Sequence, residues 1–80
     1  LANAPLVHEL CERFAERVVA YSRNDAQRLQ FAYLLAFGRM PRVSEIHRLL
    51  PFVEDAEDER ATWFDAMHAL LNTTEFRFRR

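Results

Sequence analysis

Apolar residues return along this chain three and four positions apart over nearly its whole length, and only the closing "FRFRR" alternates as a strand would. Val7, Leu10, Cys11, Phe14 and Val18 form one such stripe, with Glu9, Glu12, Arg13, Glu16 and Arg17 on the opposite face. The spacing predicts a first helix from about Ala4 to Tyr21. Asn3 suits its N-cap, and Pro5 suits the first turn, where a missing N–H loses no partner. Glu9 and Arg13 are four apart in the order that stabilises a helix, so an ion pair is expected there. Asn24 caps a second helix, with Gln27 at the third position of a capping box. From Leu29 to Phe37 only Gln30 is strongly polar, and a helix apolar on most sides belongs in the middle of a domain. Gly38, the sole glycine, follows directly and suits a left-handed C′ position.

A third helix is expected to start near Pro41 and to carry Val43, Ile46, Leu49 and Leu50, with Pro51 ending or kinking it. The run "EDAEDE" at 54–59 reads as a solvated loop. Its last acids suit the positive end of a fourth helix from about Glu59 to Leu71. That helix aligns Trp63, Met67, Leu70 and Leu71 on a core face, with Phe64 beside them. Asn72 is expected in a left-handed conformation that closes the helix, Thr73 or Thr74 caps a following turn, and Phe76 folds back onto the core. The expected fold is therefore all-α: a compact bundle of four helices with the second helix central, occupying residues 1–80 as a single domain.

Composition narrows the function classes. Eighty residues make one small domain, which buries about 60–65% of the surface its unfolded chain exposes. The formal net charge is −1, less basic than a general polyanion binder requires. All eleven basic residues are arginine, a side chain suited to planar, bidentate pairing with carboxylates. The single cysteine, Cys11, excludes an intramolecular disulfide and any multi-cysteine metal site. No apolar run approaches the ~18 residues of a membrane span. The opening "LANAPL" carries neither an initiator Met nor a signal-peptide pattern, so a domain cut from a larger protein is expected.

Candidate chemistry is sparse. His8 and Cys11 are three apart on one helix face, but two ligands are too few for zinc, so a buried thiol beside a surface histidine is expected. His47 and His68 stand alone, and no Cys-x-x-Cys-His attachment motif for haem occurs. Glu54, Asp55, Glu57, Asp58 and Glu59 lack the alternating ligands and the glycine of a calcium loop. Asp65 and His68 are spaced as an acid and a base, but no nucleophile or oxyanion donor accompanies them. Arg77, Arg79 and Arg80 interleave with Phe76 and Phe78 in the manner of a single-strand nucleic-acid contact, although packing of Phe76 explains the segment more simply.

Four stretches in this order, "LANAPLV", "ERFAERV", "RLQFAYLLAFGRMP" followed by "SEI", and "WFDAMHALLNTTEF", carry a family resemblance. The chain resembles the C-terminal part of the domain of unknown function that closes planctomycete cytochrome-c-type proteins. The most specific pieces are Gly38-Arg39-x-Pro41 with Glu45, and Leu70-Leu71-Asn72 with Glu75-Phe76. The resemblance implies a multidomain, extracytoplasmic parent with any haem in another module, and it assigns no catalytic residue. The chain departs from the family at Arg42, where a small hydroxyl residue is usual, and at "RFRR", where the family is more apolar.

The expected function is a non-catalytic structural or protein-interaction domain, with no cofactor, no metal and no membrane insertion. Its expected partners are other domains of the parent protein. The alternatives are a nucleic-acid-binding helical module, or one wall of an active site completed upstream. The residues expected to matter are structural: Asn3, Gly38, Arg39, Pro41, Glu45, Trp63, Asn72, Glu75 and Phe76. Arg39 is expected to pair with Glu45 or Glu75.

Overall fold

Among the described residues, four helices follow one another without an intervening strand: α1 (Pro5–Tyr21), α2 (Asp25–Phe37), α3 (Val43–Val53) and α4 (Glu59–Leu71). The computed structural model describes residues 5–73. The expected cap at Asn3, the parts assigned to Thr74, Glu75 and Phe76, and the terminal arginines therefore lie outside the described residues. The helix boundaries follow the periodicity read above, with α3 starting two residues later than Pro41.

Each helix start is made by local chemistry. The Asn24 side chain accepts from the Gln27 backbone N–H at 2.9 Å. Gln27 does not return that bond directly, as a simple capping box would. Its Oε1 accepts from the Ser22 hydroxyl, and the Ser22 Oγ accepts from the Asn24 N–H, so Ser22 relays the second half of the box. At α4, Asp58 accepts from the Ala61 N–H at 3.1 Å and sets a carboxylate at the positive helix end. α2 ends at Gly38, whose φ of 69° is left-handed and whose N–H donates to the Leu34 carbonyl. A side chain there would meet the following carbonyl, which is why glycine belongs at this position.

Two helix ends differ from expectation. Pro51 neither ends nor caps α3, which continues to Val53. Pro51 itself is exposed while Leu50 before it packs against the core, and the bond from the Glu54 N–H to the Leu50 carbonyl closes the last turn beyond the proline. Asn72 is not left-handed: its φ is −96° and ψ is 5°. Its side-chain Nδ2 donates to the His68 carbonyl at 2.8 Å, and the Thr73 hydroxyl donates to the Leu70 carbonyl at 2.8 Å. The free carbonyls of the last turn are thereby satisfied without a left-handed residue. The positive φ instead occurs at Asp55, 55°, in the acidic loop, where Asp tolerates it better than most residues.

The core runs through all four helices. Trp63, Leu29, Met67, Val18, Val53 and Cys11 are its largest fully buried side chains. Trp63, Met67, Leu70 and Leu71 share the core face of α4 as the spacing predicts. In α1 the buried arc is Val7, Cys11, Ala15 and Val18, while Leu10 and Phe14 are half-buried at its edge. α1 and α4 form the most extensive pairing, and α2 and α4 each touch all three other helices. α2 thus holds the central place expected of it, together with α4. α1 and α3 do not meet, so they occupy opposite sides of the bundle. Among the described residues, the Trp63 Nε1–H is buried without an acceptor.

Candidate functional site

The polar side chains with the most developed geometry sit at helix ends. Arg39 follows the glycine that stops α2 and turns back over the last turn of that helix. Its guanidinium carbon lies 5.3 Å from the Tyr33 ring centre and 5.6 Å from that of Phe37, within range of cation–π attraction. The same group reaches α3, with Nη1 and Nη2 donating to the two Glu45 oxygens at 3.0 Å each. This is the bidentate fork that arginine makes and lysine cannot. Glu45 also accepts from the Arg42 backbone N–H at 2.7 Å, so one carboxylate caps α3 and fastens it to α2. Pro41 lies between these two contacts, half-buried in the connection. The Arg39 hydrogen bonds, helped by the Arg42 N–H and by both positive charges against a smaller opposing effect of burial, hold the Glu45 carboxyl down to about 2. Arg39 and Glu45 are thus the ion pair expected from sequence, while Glu75 lies outside the described residues. Arg42 itself makes no side-chain cap, since a guanidinium has no acceptor, and its Nη1 stands 3.9 Å from Glu45.

Arg28 is the residue that sequence reasoning missed. It is 3% exposed, the one buried charged side chain of the described core. Its Nε donates to the Ser22 carbonyl at 2.5 Å and its Nη2 to the Val19 carbonyl at 3.0 Å, so it caps the C-terminal end of α1. Its Nη1 reaches Glu59 of α4 at 3.2 Å and Asp25 of α2 at 3.6 Å. One cation therefore ties the negative end of α1 to the acid-bearing starts of α2 and α4. A signal was present: the buried arc of Leu29, Ala32, Tyr33 and Ala36, extended back one turn from Ala32, passes through position 28.

The remaining candidates separate. Cys11 is fully buried, and burial pushes its thiol pKa up, which makes it a poor nucleophile. His8 faces solvent, 3.7 Å from Glu12 and with its ring 5.0 Å from that of Phe64. Glu9 and Arg13 form no ion pair; the i,i+4 partner pair on α1 is His8–Glu12 instead. His68 stacks on Phe64 and meets the Asn72 amide at 3.1 Å, while Asp65 stays exposed, so these two do not form an acid–base pair. An open pocket of about 350 Å³ lies between α1 and α4, lined by His8, Glu12, Ala15, Arg60, Ala61 and Phe64. Arg60 there is already bound to Glu16. Among the described residues, no group of three or more His, Cys, Asp or Glu is placed to hold a metal ion. No described helix is long and apolar enough to cross a membrane.

Two outer seams remain. Along α1 and α2, Tyr21 is 59% exposed and stacks on Phe31 with ring centres 4.4 Å apart. The Arg17 guanidinium lies 5.5 Å above Phe31, and exposed Arg13 is one turn away. Between α3 and α4 lies a narrow, almost wholly apolar groove lined by Leu49, Phe52, Val53, Ala66, Ala69 and Leu70 over Leu29. Phe52 at its edge is 58% exposed. Exposed Glu54 follows Val53 directly, exposed Asp65 is one turn before Ala69 and exposed Arg48 is one turn before Phe52, so charges of both signs neighbour the groove in sequence while its lining is apolar. No protein-family model, curated protein or solved structure matches the chain.

Proposed function

We propose that this chain is a non-catalytic interaction domain of a larger, extracytoplasmic protein of the kind its sequence resembles. One observation carries the reading. The well-partnered polar groups, Arg28, Arg39, Glu45, Asn24 and Asp58, hold helix ends together, while exposed aromatic and unpaired charged side chains collect on two outer seams. Aromatics and arginine are the residues enriched in protein interfaces, and their position outside the core leaves them available to another surface. The expected partners are other domains of the parent protein. Titration calorimetry of the 80-residue chain against the separately produced remainder of the parent tests the reading, with heat of binding as the supporting result. Turnover of any substrate by the isolated chain refutes it.

The Tyr21–Phe31 stack with Arg17 over it supports a second reading, a module for single-stranded nucleic acid, because bases stack on exposed aromatics beside arginine. A gel shift with random DNA and RNA at low salt decides it. A shift that weakens steeply with salt favours this reading, and no shift removes it.

A further inference from the structure

The four helices do not share the core equally. Of the six largest fully buried side chains, Trp63, Leu29, Met67, Val18 and Cys11 belong to α1, α2 and α4, and α3 supplies only Val53. Ile46, Leu49 and Leu50 of α3 are half-buried, and its Val43 and Phe52 are exposed. α1, α2 and α4 each pack on the other two, and the polar partners of Arg28 all lie on these three helices or in the turn between α1 and α2. α3 packs on α2 and α4 alone, with less contact in all than any other helix, and the apolar groove lies between it and α4. Among the described residues, the one side-chain polar tie from α3 to the rest of the bundle beyond its own N-cap is the Arg39 fork on Glu45.

We propose that α1, α2 and α4 form a core that stays folded without α3, and that α3 releases and unwinds as a separate unit, latched by the Arg39–Glu45 fork. Segments with few buried apolar contacts open locally at a lower free energy than the whole domain. The connections on either side of α3 carry the positive-φ residues of the described chain, Gly38 at 69° and Asp55 at 55°. Loop and helix-end positions of this kind are where hinge motions are taken up. Released from the bundle, α3 has eleven residues and lacks the backbone bond that Pro51 cannot donate. An isolated helix shorter than about 12–15 residues is marginal in water, so α3 unwinds once it leaves. Its release bares Leu29, Ala66, Ala69 and Leu70, which line the groove from the α2 and α4 sides. The closed chain thus keeps an apolar face covered by its least anchored helix. This device follows from packing and stands whether or not the chain is an interaction domain.

Native-state hydrogen exchange of the 80-residue chain, followed by NMR at rising sub-denaturing urea, tests this. The hydrogen-bonded amides of α3 should share one protection factor, about tenfold or more below those of Cys11 and Val18 in α1 and Met67 in α4. Their protection should also fall less steeply with urea, because releasing α3 exposes only part of the surface that global unfolding exposes. Val18 is fully buried on α1, which does not meet α3. It stays buried when α3 is out, so Val18→Ala should lower protection in α1 and α4 about tenfold and leave that of α3 unchanged. Glu45→Gln breaks a latch that only the closed chain has, and should lower protection throughout, in α3 by about tenfold or more. Equal protection with equal urea slopes in α3 and α1 of the parent chain overturns the proposal without any variant. A loss of α3 protection in Val18→Ala as large as that in α1 overturns it equally. Unchanged α3 protection in Glu45→Gln overturns the fork as the latch.

Discussion

Replacing Glu45 with Gln should loosen the corner between α2 and α3 and remove a pH dependence that one carboxylate carries. The Glu45 side chain is 13% exposed, receives both Arg39 nitrogens at 3.0 Å and the Arg42 N–H at 2.7 Å, and has its pKa lowered from 4.5 to about 2. Its folded pKa lies below its unfolded one, so between those values the unfolded chain binds more protons, and stability rises with pH there. The contribution is fully present above about pH 5 and is lost as pH falls through about 2. At ~1.4 kcal/mol per pKa step, a shift of this size corresponds to about 3 kcal/mol at pH 7, ~1.4 at pH 3 and ~0.4 at pH 2. A domain of this length has about 4–12 kcal/mol in total, so this one ion pair is a large part of it. Urea unfolding of the parent chain and Glu45→Gln from pH 2 to pH 7 measures the difference, with midpoints compared at equal slope. The gap between the two proteins should be about 2–3 kcal/mol near neutrality and should close below pH 3. A gap that stays constant from pH 7 to pH 2, or one under ~0.5 kcal/mol at pH 7, would refute the assignment of the shift to this carboxylate.

Three further outcomes follow from the same geometry. Arg42→Thr supplies the acceptor that the α3 N-cap lacks, at the loss of a contact of 3.9 Å from a 74% exposed side chain, and should raise stability by about 0.5–2 kcal/mol, read as a higher thermal midpoint. Arg28→Ala strands the Val19 and Ser22 carbonyls and uncouples α1 from Glu59, so denaturant unfolding should show a loss of about 3–5 kcal/mol; Arg28→Lys should recover less than half, since one ammonium cannot span the four partners. Trp63 is fully buried, so native fluorescence should be blue-shifted and should move to the red on unfolding; native emission like that of tryptophan in water would contradict the packing of α4.

Helix number, helix boundaries and most of the core were legible along the chain, because a helix repeats its buried positions at a fixed short interval and its caps involve residues within four of one another. Asn24, Gly38 and the face of Trp63, Met67, Leu70 and Leu71 are of this kind. Arg39 and Glu45 are six apart, across a turn short enough for the pairing to be expected, and that pairing is found. Asn72 misled because a residue that tolerates the left-handed region does not have to enter it once its amide and the Thr73 hydroxyl have met the free carbonyls. Arg28 shows what the tertiary structure alone decided. In the sequence it resembles its exposed neighbour Arg23, and its burial depends on Glu59, thirty-one residues away, and on the end of α1 arriving beside the starts of α2 and α4. The two seams are likewise invisible in one dimension. Tyr21 and Phe31 stack only because α1 and α2 pack against each other across a short turn, and the groove exists only where small Ala66 and Ala69 face Phe52 across α3 and α4. Local periodicity determines which face of each helix is buried, but which helix covers it, and which side chains then remain outside, is set by packing among segments distant in the chain.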